Sequence, residues 1–359
     1  MKLKVKTQLL KEMTSKAAAG SSNTGGLLLT SSMCIECDNN TLKLTTTDGA
    51  NTLHISNAVE SQEKFYVCTD STLFSKLVSK TDSEYITLEV IDTYLQFTGS
   101  GVYNLPLIMD EEGNMAVIEE MNLTCEPVKV EAALLKKAIS TNKVAVSKDF
   151  AEPIYTGYCI SNNAVMTNKG NLICHSDLSV NNLKALIPMS FIELCNLFDD
   201  KYVDIKVEGV KLSFQSEHVK LTGSLLDGID RFPVDSLKAL IDMPEFKYNV
   251  KINKSTLLNC LDRMLLFVSE SDSFAVSLTF QDSKVLISNK DSTACESIDY
   301  KDKVEGLNFQ AYFVTVDLKT MLSANSEEIV TLVLGPDNCM KMVDKNTTLI
   351  IPFLQDTEE

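Results

Sequence analysis

The chain has 359 residues, with 44% apolar and 23% charged side chains, proportions ordinary for a globular protein. Its net charge of −16 disfavours a surface that grips nucleic acid all over, so any such contact must come from a local concentration of Lys and Arg. The start, Met1-Lys2-Leu3-Lys4-Val5-Lys6, alternates charge and bulk as a first strand does, unlike the apolar core of a signal peptide. No apolar run reaches the roughly 18 residues of a membrane span, and a cytoplasmic location is expected.

Three stretches repeat. Thr7-Gln8-Leu9-Leu10-Lys11, Ala132-Ala133-Leu134-Leu135-Lys136 and Ser255-Thr256-Leu257-Leu258-Asn259 place Leu9, Leu134 and Leu257 125 and then 123 residues apart. A solenoid repeat is about 20–50 residues long, whereas this period matches a whole domain of about 100–150. The expectation is one α+β domain three times over, 1–124, 125–245 and 246–359, each with two helices packed on antiparallel sheets.

In the first third, a helix over 7–16 with Thr7 as its N-cap precedes strands over 26–37, 41–47 and 51–59. A helix beginning at the cap Asp70 follows, and strands over 85–91, 94–98 and 101–107 close the repeat. Turn-formers at 110–114 lead to the next third. There a helix over 131–141, strands over 154–161, 164–167 and 172–176, a helix over 189–198 after Pro188, and strands over 202–207, 211–215 and 218–225 repeat the order. After Pro244-Glu245, Asn253 caps a helix to 268. Strands over 274–280, 284–288 and 294–300, a helix over 317–324 and strands over 328–334, 340–343 and 348–353 complete the chain.

Ten cysteines without a secretion signal read as reduced, mostly buried thiols. Cys34 and Cys37 form a CxxC, but positions i and i+3 of a strand face opposite ways, and no second close pair of Cys or His completes a zinc set. No metal site or cofactor is expected. The three histidines, His54, His175 and His218, carry no catalytic constellation, and the spacing of His175 and Asp177 fits one face of a strand. No phosphate loop or nucleophile elbow is present, so no enzymatic activity is expected.

Three further motifs carry a resemblance. Residues 223–233, Gly-Ser-Leu-Leu-Asp-Gly-Ile-Asp-Arg-Phe-Pro, are similar to a stretch ending in DGRFPDY in the β subunit of bacterial DNA polymerase III, the β sliding clamp. Ile350-Ile351-Pro352-Phe353-Leu354 resembles that family's closing VMPMRL, and residues 165–172 line up with VATDGHRL. The family's Gly-His-Arg appears here as Lys169-Gly170-Asn171, and its Arg-containing loop after the first helix as Gly20 to Gly26 without Arg. These departures mark a distant or phage-borne relative.

The resemblance implies a homodimeric, non-catalytic ring that encircles duplex DNA without reading sequence and tethers DNA polymerase and clamp-loader subunits through short peptides. By residue matching it places the peptide groove at Tyr155, Thr167, Leu172, Pro233, Leu237, Ile351, Pro352, Phe353 and Leu354. It places the DNA channel at Lys6, Lys11, Lys16, Lys136, Lys137, Lys143, Lys254 and Arg263. The dimer interface falls at Val102 and Leu105 on one side and Leu266, Phe267 and Val268 on the other. Two other readings stay open on the residues alone: a clamp-like scaffold that does not encircle DNA, and a three-domain enzyme whose site is assembled from separate segments.

Overall fold

The computed structural model describes residues 2–22, 28–61, 64–180, 182–243, 248–270, 273–335 and 339–354. The expected boundary at Pro244-Glu245, most of the loop from Gly20 to Gly26 and the acidic tail after Leu354 lie outside the described residues.

Each third runs in the same order: strand, helix, four strands, helix, three strands. The first holds β1 (Lys2–Lys6), α1 (Thr7–Ala17), β2 (Ser32–Asp38), β3 (Thr41–Thr47), β4 (Thr52–Ala58), β5 (Phe65–Asp70), α2 (Ser71–Ser79), β6 (Tyr85–Ile91), β7 (Tyr94–Thr98) and β8 (Val102–Pro106). The second holds β9 (Val128–Glu131), α3 (Ala132–Asn142), β10 (Gly157–Ser161), β11 (Ala164–Asn168), β12 (Ile173–Asp177), β13 (Ala185–Pro188), α4 (Met189–Leu194), β14 (Tyr202–Glu208), β15 (Lys211–Gln215) and β16 (Val219–Ser224). An additional helix, α5 (Val234–Ile241), precedes the third. That third holds β17 (Tyr248–Asn253), α6 (Lys254–Met264), β18 (Ala275–Phe280), β19 (Lys284–Asn289), β20 (Cys295–Asp299), β21 (Phe309–Val314), α7 (Thr315–Ala324), β22 (Ile329–Leu334), β23 (Cys339–Asp344) and β24 (Thr347–Pro352).

The helices start where strands end. Asp70 caps α2 by accepting from the Leu73 N–H at 2.6 Å, and Asn253 caps α6 through the Thr256 N–H at 2.8 Å. Thr7 does not cap α1: it is the first helical residue after Lys6, and its hydroxyl is buried without a partner. The expected strand over 26–37 begins only at Ser32, because Leu28–Ser31 forms a 3₁₀ turn.

The sheets cut across the repeats. Two have eight strands each, β5-β2-β3-β4-β16-β15-β14-β9 and β13-β10-β11-β12-β24-β23-β22-β17, and the ladders β4–β16 and β12–β24 at their centres are antiparallel. Each joins half of one third to half of the next, through β4–β16 and through β12–β24. Two four-stranded sheets remain, β1-β6-β7-β8 and β20-β19-β18-β21. By contacts the chain accordingly divides into two compact units, Met1–Ala133 with Ile187–Leu225 and Leu134–Leu186 with Leu226–Glu359. The middle third is thus shared between the units, a division distinct from the repeat boundaries at 124 and 245, because ladder pairing between strands outweighs the sequence period.

Within the second unit, period-two alternation separates two cores. Leu172, Cys174, Leu349 and Ile351 pack with α6 and α7 on one face of the eight-stranded sheet. Ile173 and Ile350 turn to the other face, against Phe232, Val234 and Leu237 at α5.

Candidate partner groove, cationic helices and open strand edges

The residues expected to line a peptide groove all lie in the second unit, but they divide between these two faces. Leu172 and Ile351 are core residues on the α6–α7 side. Leu237 packs on the α5 side with Tyr155, whose ring meets Phe232 edge-on at 5.9 Å. Pro233 starts α5 and lines a cavity of about 450 Å³ with Lys184, Asp230 and Arg231. Pro352 lies opposite Cys339, and Phe353 leaves the sheet to pack against Phe309 and Phe313, with ring centroids 5.3 and 5.2 Å away. Leu354 donates its N–H to the Tyr312 carbonyl at 2.8 Å. Leu172 and Ile351 therefore serve a different core from Leu237 and Tyr155. Phe353 and Leu354 thus dock onto their own third.

Thr167 has a different role from the one expected. Its hydroxyl is buried and donates to the Asn142 carbonyl at 2.8 Å; the Asn142 amide donates to Ser176 Oγ at 2.8 Å, and Ser176 meets Thr347 at 3.0 Å. This polar chain ties the end of α3 to β11, β12 and β24 and satisfies groups that would be costly to bury alone. The departure at Lys169-Gly170-Asn171 also acquires a reason. Gly170 turns with φ +87°, and Lys169 Nζ (3.1 Å) and the Asn171 amide both reach the Asp317 carboxylate in the first turn of α7. Asn142 and Asp317 carried no motif, so sequence reasoning passed over both.

The cations differ in availability. On and before α1, Lys6 is exposed and Lys11 half-buried, whereas Lys16 pairs with Asp199 at 2.6 Å. On α3, Lys137 is exposed and Lys136 half-buried, with exposed Lys143 just beyond. Lys254 donates to the Asn325 carbonyl at 2.7 Å, and Arg263 grips Glu296 with two hydrogen bonds of 2.7 and 2.5 Å. The last two are spent inside the second unit, as sequence alone could not reveal.

The expected interface residues also separate. Val102 on β8 is 63% exposed, but Leu105 is buried opposite Leu95 and offers nothing to a partner. Leu266 (80%) and Phe267 (52%) are exposed just after α6, whereas Val268 packs on the core. The Arg263–Glu296 pair ties this end of α6 to β20.

β8 and β20 each end a four-stranded sheet. In the repeat, β8 corresponds to β16 and β24, and β20 to β4 and β12, the strands that join elsewhere. Where they join, His54 lies opposite Lys220 and His175 opposite Thr348. The register carries through the repeat: Leu53, Cys174 and Ala294 hold equivalent positions, as do Leu221, Leu349 and Tyr103.

This arrangement of strands and helices is the fold of the bacterial β sliding clamps. The chain superposes over 99% of its length on a DNA polymerase sliding clamp from Bacillus subtilis, over 99% of that chain, with a TM-score of 0.81 at 18% identity. It likewise matches the DNA polymerase III β subunit from Pseudomonas aeruginosa over 99% of this chain and all of that one (TM-score 0.83, 15% identity). A third match is a sliding clamp from Bartonella birtlesii bound to griselimycin, with 99% of both chains covered (TM-score 0.82, 15% identity). No protein-family sequence model and no curated protein sequence matches the chain. Among the described residues no helix is long and apolar enough to cross a membrane.

Proposed function

We propose that the chain is a sliding clamp: two copies close head to tail into a ring around duplex DNA and hold a polymerase there through a short peptide, without catalysing a reaction. One observation carries this reading. The edges β8 and β20 are the repeat's own joining strands, left unjoined within one chain. Pairing β8 of each copy with β20 of the other would build two further eight-stranded sheets and leave no open joint. The repeat also sets the register, with Cys295 opposite Val102 of the second copy and Ala294 opposite its Tyr103. Leu266 and Phe267, beside β20, would be covered by the same contact.

DNA is then held by topology. Lys6, Lys11 and Lys137 offer a few sequence-blind phosphate contacts, while the overall charge of −16 keeps the rest of the surface away from DNA. The partner peptide would take the α5 face of the second unit, where Tyr155, Pro233, Leu240 and Ile241 are half-buried over Leu237. Such walls bury peptide anchors at about 25 cal/mol per Å². An affinity near micromolar, about −8 kcal/mol, suits partners that exchange.

The test is retention on circular DNA. Protein loaded on a nicked circle by clamp-loading machinery is expected to survive a salt wash and to leave when the circle is cut. Tight binding of unloaded protein to short linear duplexes, or retention after cutting, would contradict the reading.

A further inference from the structure

In the first unit, a row of side chains crosses five strands on one face of the sheet. Cys68 (β5) lies opposite Cys34 (β2), Cys34 opposite Thr45 (β3), Thr45 opposite His54 (β4), and His54 opposite Lys220 (β16). A cavity of about 370 Å³ opens over this row, lined by Cys34, His54, Tyr66 and residues 117–120. His54 is 4% exposed and donates to or accepts from Thr45 through Nδ1 at 2.9 Å, while its Nε2 has no partner. The cavity therefore has a polar, unsatisfied floor with a thiol at one end.

The two sulfurs at that end are 3.2 Å apart. The Cys68 N–H is taken by the Met115 thioether at 3.2 Å and its carbonyl by the Ile108 N–H at 2.8 Å, both off the sheet edge. Cys34 and Cys68 are thus a non-hydrogen-bonded cross-strand pair. In such pairs the Cα atoms approach to about 4.5 Å and the side chains are closest. That spacing falls within the roughly 4.4–6.8 Å that a disulfide spans. Cys37, the other half of the CxxC, faces away.

We propose that Cys34 and Cys68 form a peroxide-responsive dithiol, with Cys34 as the nucleophile and Cys68 as the resolving thiol. The Cys34 thiolate attacks one oxygen of hydrogen peroxide. The S–O bond forms, the O–O bond breaks, and the departing hydroxide takes a proton and leaves as water. Cys68 sulfur then attacks the Cys34 sulfenic acid: the S–S bond forms, the S–O bond breaks, and the hydroxyl leaves with the Cys68 proton as a second water. Two thiols lose two electrons and two protons, and one peroxide becomes two waters.

Access and reactivity both favour Cys34. A small oxidant fits a cavity with room for several waters, each taking about 30 Å³, whereas a protein thiol cannot reach a residue 3% exposed. The hydrogen bond from Cys68 is the main cause that brings the Cys34 thiol down to about 7, against the opposing effect of burial; Cys68 is correspondingly raised.

Peroxide treatment of the full chain, followed by a non-reducing digest and mass spectrometry, tests this. The expected product is a Cys34–Cys68 linked peptide. Cys34 should be consumed at least about tenfold faster than Cys159, whose thiol burial pushes up to about 12. Cys68→Ser should leave a Cys34 sulfenic acid that dimedone traps, and Cys34→Ser should leave Cys68 reduced. Circular dichroism checks that each variant folds; if one does not, the wild-type map and rates decide alone. Consumption of Cys34 no faster than Cys159, or a linkage of Cys34 to Cys37 instead, would overturn the proposal.

Discussion

β16 and β8 occupy the same place in successive thirds and differ in what covers them. β16 pairs on both sides, and Val219, Leu221, Thr222 and Gly223 are buried. β8 pairs only with β7 and, apart from Leu105, stands exposed: Val102 at 63% and Tyr103 at 45%. The joining partners show the same contrast. β4 buries Leu53, His54 and Ile55, while β20 exposes Cys295, Ser297 and Asp299. Strand chemistry alone does not account for the difference, since β8 still carries Val, Tyr and Leu. The missing neighbour does.

The largest effect should come from placing a charge at equivalent positions of the two edges. Leu221→Asp buries a carboxylate opposite Leu53 and should cost more than about 4 kcal/mol, unfolding the first unit in a denaturant titration. Tyr103→Asp, its counterpart at the open edge, should cost only about 1 kcal/mol in the same titration. Equal costs would break the comparison.

A pH titration sharpens it. Burial, as the main cause, holds the His54 imidazole at the closed joint down to about 4, against an ordinary value of 6.5. Between those values the unfolded chain binds a proton that the folded chain refuses. Stability is therefore intact above pH 6.5 and falls by about 3 kcal/mol as the pH drops toward 4. His54→Gln should flatten that part of the pH–stability curve. Cys295, the equivalent residue at the open edge, has no such group to protect.

Next in size is the surface beside β20. Leu266→Asp with Phe267→Asp puts two charges where apolar side chains now stand exposed. It should weaken the dimer about 100-fold, near 2.7 kcal/mol, in sedimentation equilibrium, with the unfolding transition unchanged. An unaltered dimer constant would remove these residues from the interface.

The sequence carried the repeat plainly, because the Leu-Leu pairs at Leu9, Leu134 and Leu257 recur at the spacing of a whole domain. It did not carry β5, β9, β13, β17 and β21. Each is four to six residues long and runs straight into a helix, so signals such as Asp70, Pro188 and Asn253 mark the helix start and leave the short strand before it unmarked. α5 went unread for a related reason, since its eight residues start directly after Pro233. The joints were illegible because pairing of β4 with β16 links residues more than 160 positions apart, which no local pattern records. The expected groove residues divide by strand parity. Ile350 and Ile351 are neighbours in sequence and face opposite cores, and only the register decides which side each serves. Likewise Thr167 and Leu172 look like wall residues until Asn142 and the α6–α7 core are seen to claim them.

The most direct test of the central claim uses the thiol already present on β20. Val102→Cys should place a second thiol opposite Cys295 of a neighbouring copy. Under mild oxidation the variant should run as a covalent dimer, twice 39.7 kDa, and lose the cross-link when Cys295→Ser is added. A variant that stays monomeric on a non-reducing gel, or that cross-links equally well without Cys295, would contradict the pairing of β8 with β20.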